Sequence, residues 1–273
     1  MKPINFLFDI DGTLIPFGNE MPQSAVKAIR KAKEQGHRLF FCTGRSEIEL
    51  MWPLGDLPFE GGVFSGGNIV TYGGKKVYKR VFSPGDRDFI YRFCEEKELL
   101  PLYQAEDGTY ATQETMDFAY DLLFPVIGTG MRVPGLKLVD RMPKDLEIIK
   151  FMYFAKNRDA MECRRLLEPR FGTVDNTVGT TQDWASEVNL PGANKAAGIV
   201  HLLSALGEKD ASSCCGIGDG ANDIEMMEYC GLGIAMGNAS DEVKSHADFV
   251  TGRADEDGIA EALAYACRYF EEN

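Results

Sequence analysis

The chain has 273 residues, 42 acidic and 29 basic, for a formal net charge of −13. That length allows one large domain or two smaller ones, and 44% hydrophobic with 26% charged residues is ordinary for a globular protein. The acidic balance argues against a nucleic-acid or anionic-membrane partner, because no global field draws a polyanion in, whereas a small phosphorylated ligand needs only a local positive pocket.

The apolar run after Lys2 is broken by Asp9 before it reaches the length of a signal-peptide core, and no stretch is apolar and long enough to span a membrane. Seven cysteines, an odd number without a C-x-x-C pair, read as reduced, packed thiols and predict a cytoplasmic protein. His37, His201 and His246 are scattered, so no zinc site is expected.

Residues 4–8 form a short apolar run that predicts a strand buried on both faces, as in a parallel sheet. Residues 22–35 predict an amphipathic helix with Ala25, Ile29 and Ala32 on one face and Gly36 at its end. A second strand is expected at 38–42, and a helix from Ser46. Short strands follow at 62–65 and 69–72, with a Gly73-Gly74 hairpin into 76–82. Ser83-Pro84-Gly85 marks a boundary.

Beyond it the pattern is α+β: a helix at 86–97, an Asp107-Gly108 hairpin, loops over 128–143, a strand at 147–154, a helix at 158–167 and a strand at 171–178. The α/β rhythm returns with a helix at 194–205, a strand at 213–217, a helix, a strand at 232–236, a short helix and a last helix at 258–269. These elements predict a three-layer, Rossmann-like parallel-sheet core built from residues 1–83 and 184–273, with an α+β domain, 84–183, inserted between its halves.

Chemistry-bearing residues fall at the ends of the predicted core strands. Asp9 and Asp11, followed by Gly12 and Thr13, close the first strand, on the side where open α/β sheets bind ligands. Carboxylates placed there are costly unless a cation or hydrogen bonds compensate them, and a divalent metal is the obvious partner. A solvated turn is the plainer alternative. A calcium loop of the EF-hand type is excluded, since Leu14 stands where its sharp turn needs glycine. Thr43, Gly44 and Arg45 close the second strand, Lys195 opens the helix after the insertion, and Asp219, Asn222 and Asp223 follow the strand at 213–217. Taken singly, Thr43 reads equally as a helix cap and Lys195 as a surface lysine. Gly216 to Ala221 also fits the dinucleotide pattern G-x-G-x-x-A, although Asp219 would repel a pyrophosphate there.

Together the four motifs, in this order, resemble the haloacid dehalogenase superfamily, and their spacing resembles its Cof-type phosphatases, whose large cap lies between the second and third motifs. The tail Gly233-Ile234-Ala235-Met236-Gly237-Asn238-Ala239 continues the likeness. The resemblance implies a Mg²⁺-dependent phosphatase for a small phosphorylated metabolite, sugar phosphates first. Asp9 would be the nucleophile that forms an aspartyl-phosphate, and Asp11 the general acid and base. The implied metal ligands are Asp9, the Asp11 carbonyl, Asp219 and Asp223, the last through water or from behind. Thr43, Gly44, Lys195 and Asn222 would bind phosphate, and Arg45 would reach the substrate beyond it.

A phosphomutase or phosphotransferase on the same core, and a non-catalytic binder of phosphometabolites, are the alternatives. One departure stands out. Where the family often carries an Asn-Gly-Ala/Gly turn, this chain reads Ser65-Gly66-Gly67, with Asn68 one step later. That leaves open whether a side-chain amide holds the turn. Glu187 is expected to pair locally rather than to act in catalysis.

Overall fold

The computed structural model describes residues 2–17, 20–50, 54–127, 133–157, 159–175 and 183–273. The chain divides into two compact units. One comprises Met1–Gly44, Trp52–Lys79 and Asn194–Asn273; the other comprises Arg45–Met51 and Arg80–Ala193. The expected boundaries at 83/84 and 183/184 thus differ from the contact boundaries at 79/80 and 193/194. The difference at the second junction arises because residues 185–189 pair into the sheet of the inserted unit.

In chain order the first unit supplies β1 (Asn5–Phe8), α1 (Gln23–Glu34), β2 (Arg38–Cys42), β3 (Gly61–Phe64), β4 (Ile69–Tyr72) and β5 (Lys75–Lys79). The second supplies α2 (Pro84–Glu96), β6 (Leu100–Ala105), β7 (Gly108–Ala111), α3 (Gln113–Ile127), β8 (Leu136–Leu138), β9 (Lys150–Phe154), α4 (Ala160–Leu167), β10 (Gly172–Asp175) and β11 (Ala185–Asn189). The chain then returns to the first unit with α5 (Lys195–Leu206), β12 (Cys214–Gly218), α6 (Ile224–Tyr229), β13 (Leu232–Ala235), α7 (Asp241–Ser245), β14 (Phe249–Val250) and α8 (Gly258–Glu272).

The first unit is built on one eight-stranded sheet of order β14-β13-β12-β1-β2-β3-β4-β5. It is parallel from β14 to β3, and the β3-β4-β5 meander is antiparallel. Every residue of β1 is buried, with Phe6, Leu7 and Phe8 apolar and Asn5 Nδ2 donating to Ser213 Oγ at 3.3 Å. Leu7 and Phe40 pack against Ile199, Leu202 and Leu203 of α5. Helix α1 buries Ala25, Ile29 and Ala32, the face read from its periodicity, and ends where Gly36 turns left-handed at φ +88°.

The inserted unit is α+β, with a six-stranded sheet of order β10-β11-β9-β6-β7-β8. Tyr103, Phe151, Tyr153 and Val188 share a core with Ile90 and Phe93 of α2 and Cys163 and Leu167 of α4. Leu100, Phe154 and Ala185 pack with Ala119 of α3.

The helix expected from Ser46 is only a single 3₁₀ turn, Glu47–Glu49. The Glu49 carboxylate caps the turn by accepting from Ser46 N at 2.7 Å and also accepts from Gln104 Nε2 at 3.0 Å and Thr109 Oγ1 at 3.0 Å, and the backbone turns extended at Leu50. Helix α3 is not placed by the sequence pattern. Its start is marked by Thr112 Oγ1, which accepts from Thr115 N at 3.2 Å. Within the expected loop at 128–143, residues 128–132 lie outside the described residues, and β8 adds a parallel edge to β7. Position 158 of the expected helix and 176–178 of the expected strand also lie outside them. All seven cysteines are free, six of them buried. Among the described residues no helix is long and apolar enough to cross a membrane.

Candidate active site

β1 and β12 are parallel neighbours at the middle of the sheet, so their carboxyl ends emerge side by side. Asp9 follows β1 and is only 6% exposed, with its N–H bonded to Ile217 O at 2.9 Å. Asp219 follows β12. Helix α5 begins with Asn194 Oδ1 accepting from Ala197 N at 2.7 Å, which sets Lys195 in its first turn.

The Lys195 side chain, 1% exposed, donates to Asp9 Oδ1 at 2.6 Å and to Asp223 Oδ1. The other oxygen of Asp223 accepts from the N–H groups of Asp219 at 3.1 Å and Gly220 at 2.9 Å. Those are N–H groups that a dinucleotide pyrophosphate would need at this turn, which counts further against the dinucleotide reading. Asp219 accepts from Thr13 Oγ1 at 2.7 Å on one oxygen and from Asn238 Nδ2 at 3.3 Å on the other. Gly12 has φ +87°, and any Cβ there would run into the Asp219 carboxylate.

Burial, then the neighbouring Asp223, hold the Asp9 carboxyl well above the usual carboxylate range despite Lys195. Asp219 is pushed up to about 6, chiefly by burial, against the lowering bond from Thr13. Lys195 loses solvation, but Asp223 and Asp9 outweigh that and raise its pKa. The physical content is an imbalance. One ammonium serves three carboxylates, the buried Asp9 and Asp223 and the half-buried Asp219, each offering an oxygen within 4.8 Å of the others. With all three carboxylates ionised the cluster would hold two more negative charges than positive ones, a cost that shows in the raised Asp9 and Asp219, and the donors it offers are hard oxygens. Those features fit a hard divalent cation.

The structure thus brings together Asp9, Lys195, Asp219 and Asp223. Asp11 is exposed beside them in sequence, in the turn closed by Gly12 N to Ile15 O at 2.8 Å. Thr43 lies at the end of the adjacent β2, 1% exposed, its N–H bonded to Val63 O at 2.9 Å, and Gly44 is half-buried. Asn222 sits in a 3₁₀ turn, Ala221–Asp223, with its side chain exposed. Arg45 belongs to the second unit and donates to Glu49 O at 3.4 Å.

The Ser65-Gly66-Gly67 turn is held by an amide after all. Asn68 Nδ2 donates to Ser65 O at 2.9 Å, and Gly66 N–H bonds to Thr43 O at 3.1 Å. Glu187 pairs with Lys150 at 2.7 Å within the inserted sheet. Thr13 and Asn238 complete the cluster although the sequence pattern gives neither a role. Thr13 could be suspected from its place two residues after Asp11; nothing in the spacing singles out Asn238.

The profile of the haloacid dehalogenase-like hydrolases matches residues 6–263. YkrA, a candidate phosphatase of Bacillus subtilis, is 30% identical, with 94% of this chain and 95% of YkrA covered. The 5-amino-6-(5-phospho-D-ribitylamino)uracil phosphatase YcsE of the same organism is 26% identical over 94% of this chain and 93% of its own length. Among solved structures, the sugar phosphatase BT4131 of subclass IIB superposes with a TM-score of 0.77 at 26% identity, covering 96% of this chain and 98% of the other. The chain belongs to the haloacid dehalogenase-like hydrolase family, in its Cof-type branch. It is a phosphatase.

Proposed function

We propose that the protein hydrolyses small phosphomonoesters, sugar phosphates first, through an aspartyl-phosphate on Asp9, with Mg²⁺ as cofactor. The observation that carries this reading is the buried cluster in which Lys195 and a deficit of positive charge surround Asp9 at a strand end. Asp9, the Asp11 carbonyl and Asp219 would hold the cation, with Asp223 behind them. When bound there, the cation supplies charge neutralisation that keeps Asp9 ionised and relieves its repulsion with an anionic phosphate.

Asp9 attacks phosphorus through a carboxylate oxygen while the bond from phosphorus to the leaving oxygen breaks. Asp11, exposed and two residues along, donates its proton to that oxygen, so the alcohol departs neutral. In the second step Asp11 takes a proton from water, the water oxygen attacks phosphorus, and the acyl-phosphate bond breaks to return Asp9 and release phosphate. Lys195 fixes one oxygen of Asp9 at 2.6 Å and carries the charge that receives a phosphoryl oxygen. Thr43 and Gly44 offer a hydroxyl and an N–H to the same group, and Asn222 an amide. Arg45 reaches the substrate beyond the phosphate, and the inserted unit acts as the cap that selects it.

The choice of sugar phosphates is supported by the sugar phosphatase among the similar structures and by the phosphorylated ribityl substrate in the name of YcsE. The test is phosphate release from p-nitrophenyl phosphate and a set of hexose phosphates, with Mg²⁺ or EDTA. Turnover is expected only with Mg²⁺, and Asp9→Asn is expected to lower it by about 10³-fold or more. Turnover undiminished by EDTA, or retained in Asp9→Asn, would overturn the mechanism.

A further inference from the structure

Asn238 lies just past β13, and its side chain is committed at both ends. Its Nδ2 donates to Gly12 O at 2.9 Å and to Asp219 Oδ2 at 3.3 Å. Its Oδ1 accepts from Ala254 N at 2.9 Å. The Ala254 bond identifies the oxygen end of the amide, so the two N–H donors must face Gly12 and Asp219. One half-buried side chain therefore ties together the loop after β1, the loop after β12 and the segment around Ala254.

The same carboxylate is constrained from two other sides. Thr13 holds Asp219 Oδ1 at 2.7 Å, and Gly12 approaches so closely that it has no room for a Cβ. Thr13 and Gly12 both belong to the loop after β1. Asn238 is an anchor from outside that loop, and it grips the loop and Asp219 at once. It does so with a neutral group. A lysine there would add a positive charge that repels a cation, and an aspartate would add another carboxylate without a donor. An amide orients the oxygens and leaves the charge deficit intact.

We propose that Asn238 is a positioning residue for the divalent cation: it fixes the separation between Asp219 and the Gly12 peptide, and so the convergence of Asp219 with the Asp11 carbonyl. This inference rests on the metal reading given under the proposed function. Side chains that orient metal ligands commonly govern affinity by 10–100-fold when removed. A side chain that only tied loops together would change stability and leave the affinity of the folded protein for metal where it was.

The experiment is calorimetric titration of MgCl₂ into the EDTA-stripped full-length chain, for wild type, Asn238→Ala and Asn238→Leu. The leucine variant keeps the bulk of the side chain and removes every donor. Circular dichroism fixes a temperature at which each protein is folded. Both variants are expected to bind Mg²⁺ about 10–100-fold more weakly. Their turnover should recover toward the wild-type kcat as Mg²⁺ is raised, which a damaged nucleophile site would not show. If the alanine variant melts too early for calorimetry, the rise in Tm that Mg²⁺ produces gives the same comparison. Variant affinities within about twofold of wild type overturn the inference alone, because linkage to the ligand set then carries no measurable free energy. Absence of Mg²⁺ binding by wild type overturns the metal reading and this inference with it.

Discussion

The charge cluster of the first unit and the ion pairs of the inserted unit are balanced in opposite ways. In the first, a single buried lysine stands among Asp9, Asp219 and Asp223, and both Asp9 and Asp219 are held above the ordinary carboxylate range. In the inserted unit, three ion pairs each set one cation against one carboxylate: Lys150 with Glu187, Arg170 with Asp86, Lys137 with Asp107. Asp86 and Asp107 are held below the ordinary range, Asp86 first by the Ser83 hydroxyl and Asp107 first by Lys137. Compensated charges of that kind support a fold. Undercompensated ones, buried at strand ends, cost stability and are retained for a ligand that restores the balance.

The largest expected effect that sharpens this contrast is at the two buried lysines. Lys195→Ala leaves two aspartates buried without their cation and is expected to cost about 3–5 kcal/mol in EDTA, by urea unfolding. Mg²⁺ should recover part of that loss. Lys150→Ala removes a partner from Glu187, whose side chain is 21% exposed and also accepts from Asn189 Nδ2 at 3.0 Å. Its cost should be smaller, about 1–2 kcal/mol, and indifferent to Mg²⁺. Equal costs, or a Mg²⁺ rescue of Lys150→Ala, would break the comparison.

The response to pH comes next. Asp219 has a folded pKa of about 6, above its ordinary 3.8. Its contribution to stability is therefore fully present below pH 3.8 and is lost as pH rises through about 6. In EDTA, stability at pH 5 should exceed that at pH 7.5 by on the order of 1–2 kcal/mol from this group, and saturating Mg²⁺ should flatten or invert the slope. Asp86 runs the other way: its pKa is lowered, so its contribution is present above 3.8 and is lost as pH falls through its folded value. A flat apo profile between pH 5 and 7.5 would remove the charge deficit from the account of the site.

The smallest effect belongs to the surface. Asp86→Ala takes away a partner of Arg170, whose side chain is 43% exposed, and a hydrogen bond with Ser83 at the start of α2. The expected loss is about 0.5–1 kcal/mol, with no change in turnover. A larger loss, or a Mg²⁺-dependent one, would show that the inserted unit is not as self-contained as its pairing implies.

Much of this was legible in the residues themselves. The apolar runs at β1, β2 and β12 announce buried parallel strands, and the carboxylates after β1 and β12 announce a ligand site, because strand burial and side-chain chemistry are properties of a few consecutive residues. The inserted unit was read less completely. The expected helix from Ser46 is one turn long, and its Glu49, besides capping Ser46 N, bonds to Gln104 and Thr109, more than fifty residues on, contacts that no local pattern reveals. Helix α3 is held by long-range packing, Ala119 against Leu100, Phe154 and Ala185, which periodicity in the sequence does not reveal.

The order of residues already carries the kind of chemistry and the alternation of elements beneath it: aspartates at strand ends, a threonine and a lysine in sequence, and the family likeness built on them. Which groups share a charge depends on the folded arrangement. Lys195 meets Asp9 across 186 positions of chain, and Asn238 meets Gly12 across 226. Those meetings follow from a strand order, β13-β12-β1-β2, in which the last strands of the chain insert beside the first. Hydrophobic periodicity specifies that each strand is buried but not which neighbour it takes, and that pairing is what turns scattered carboxylates into one site.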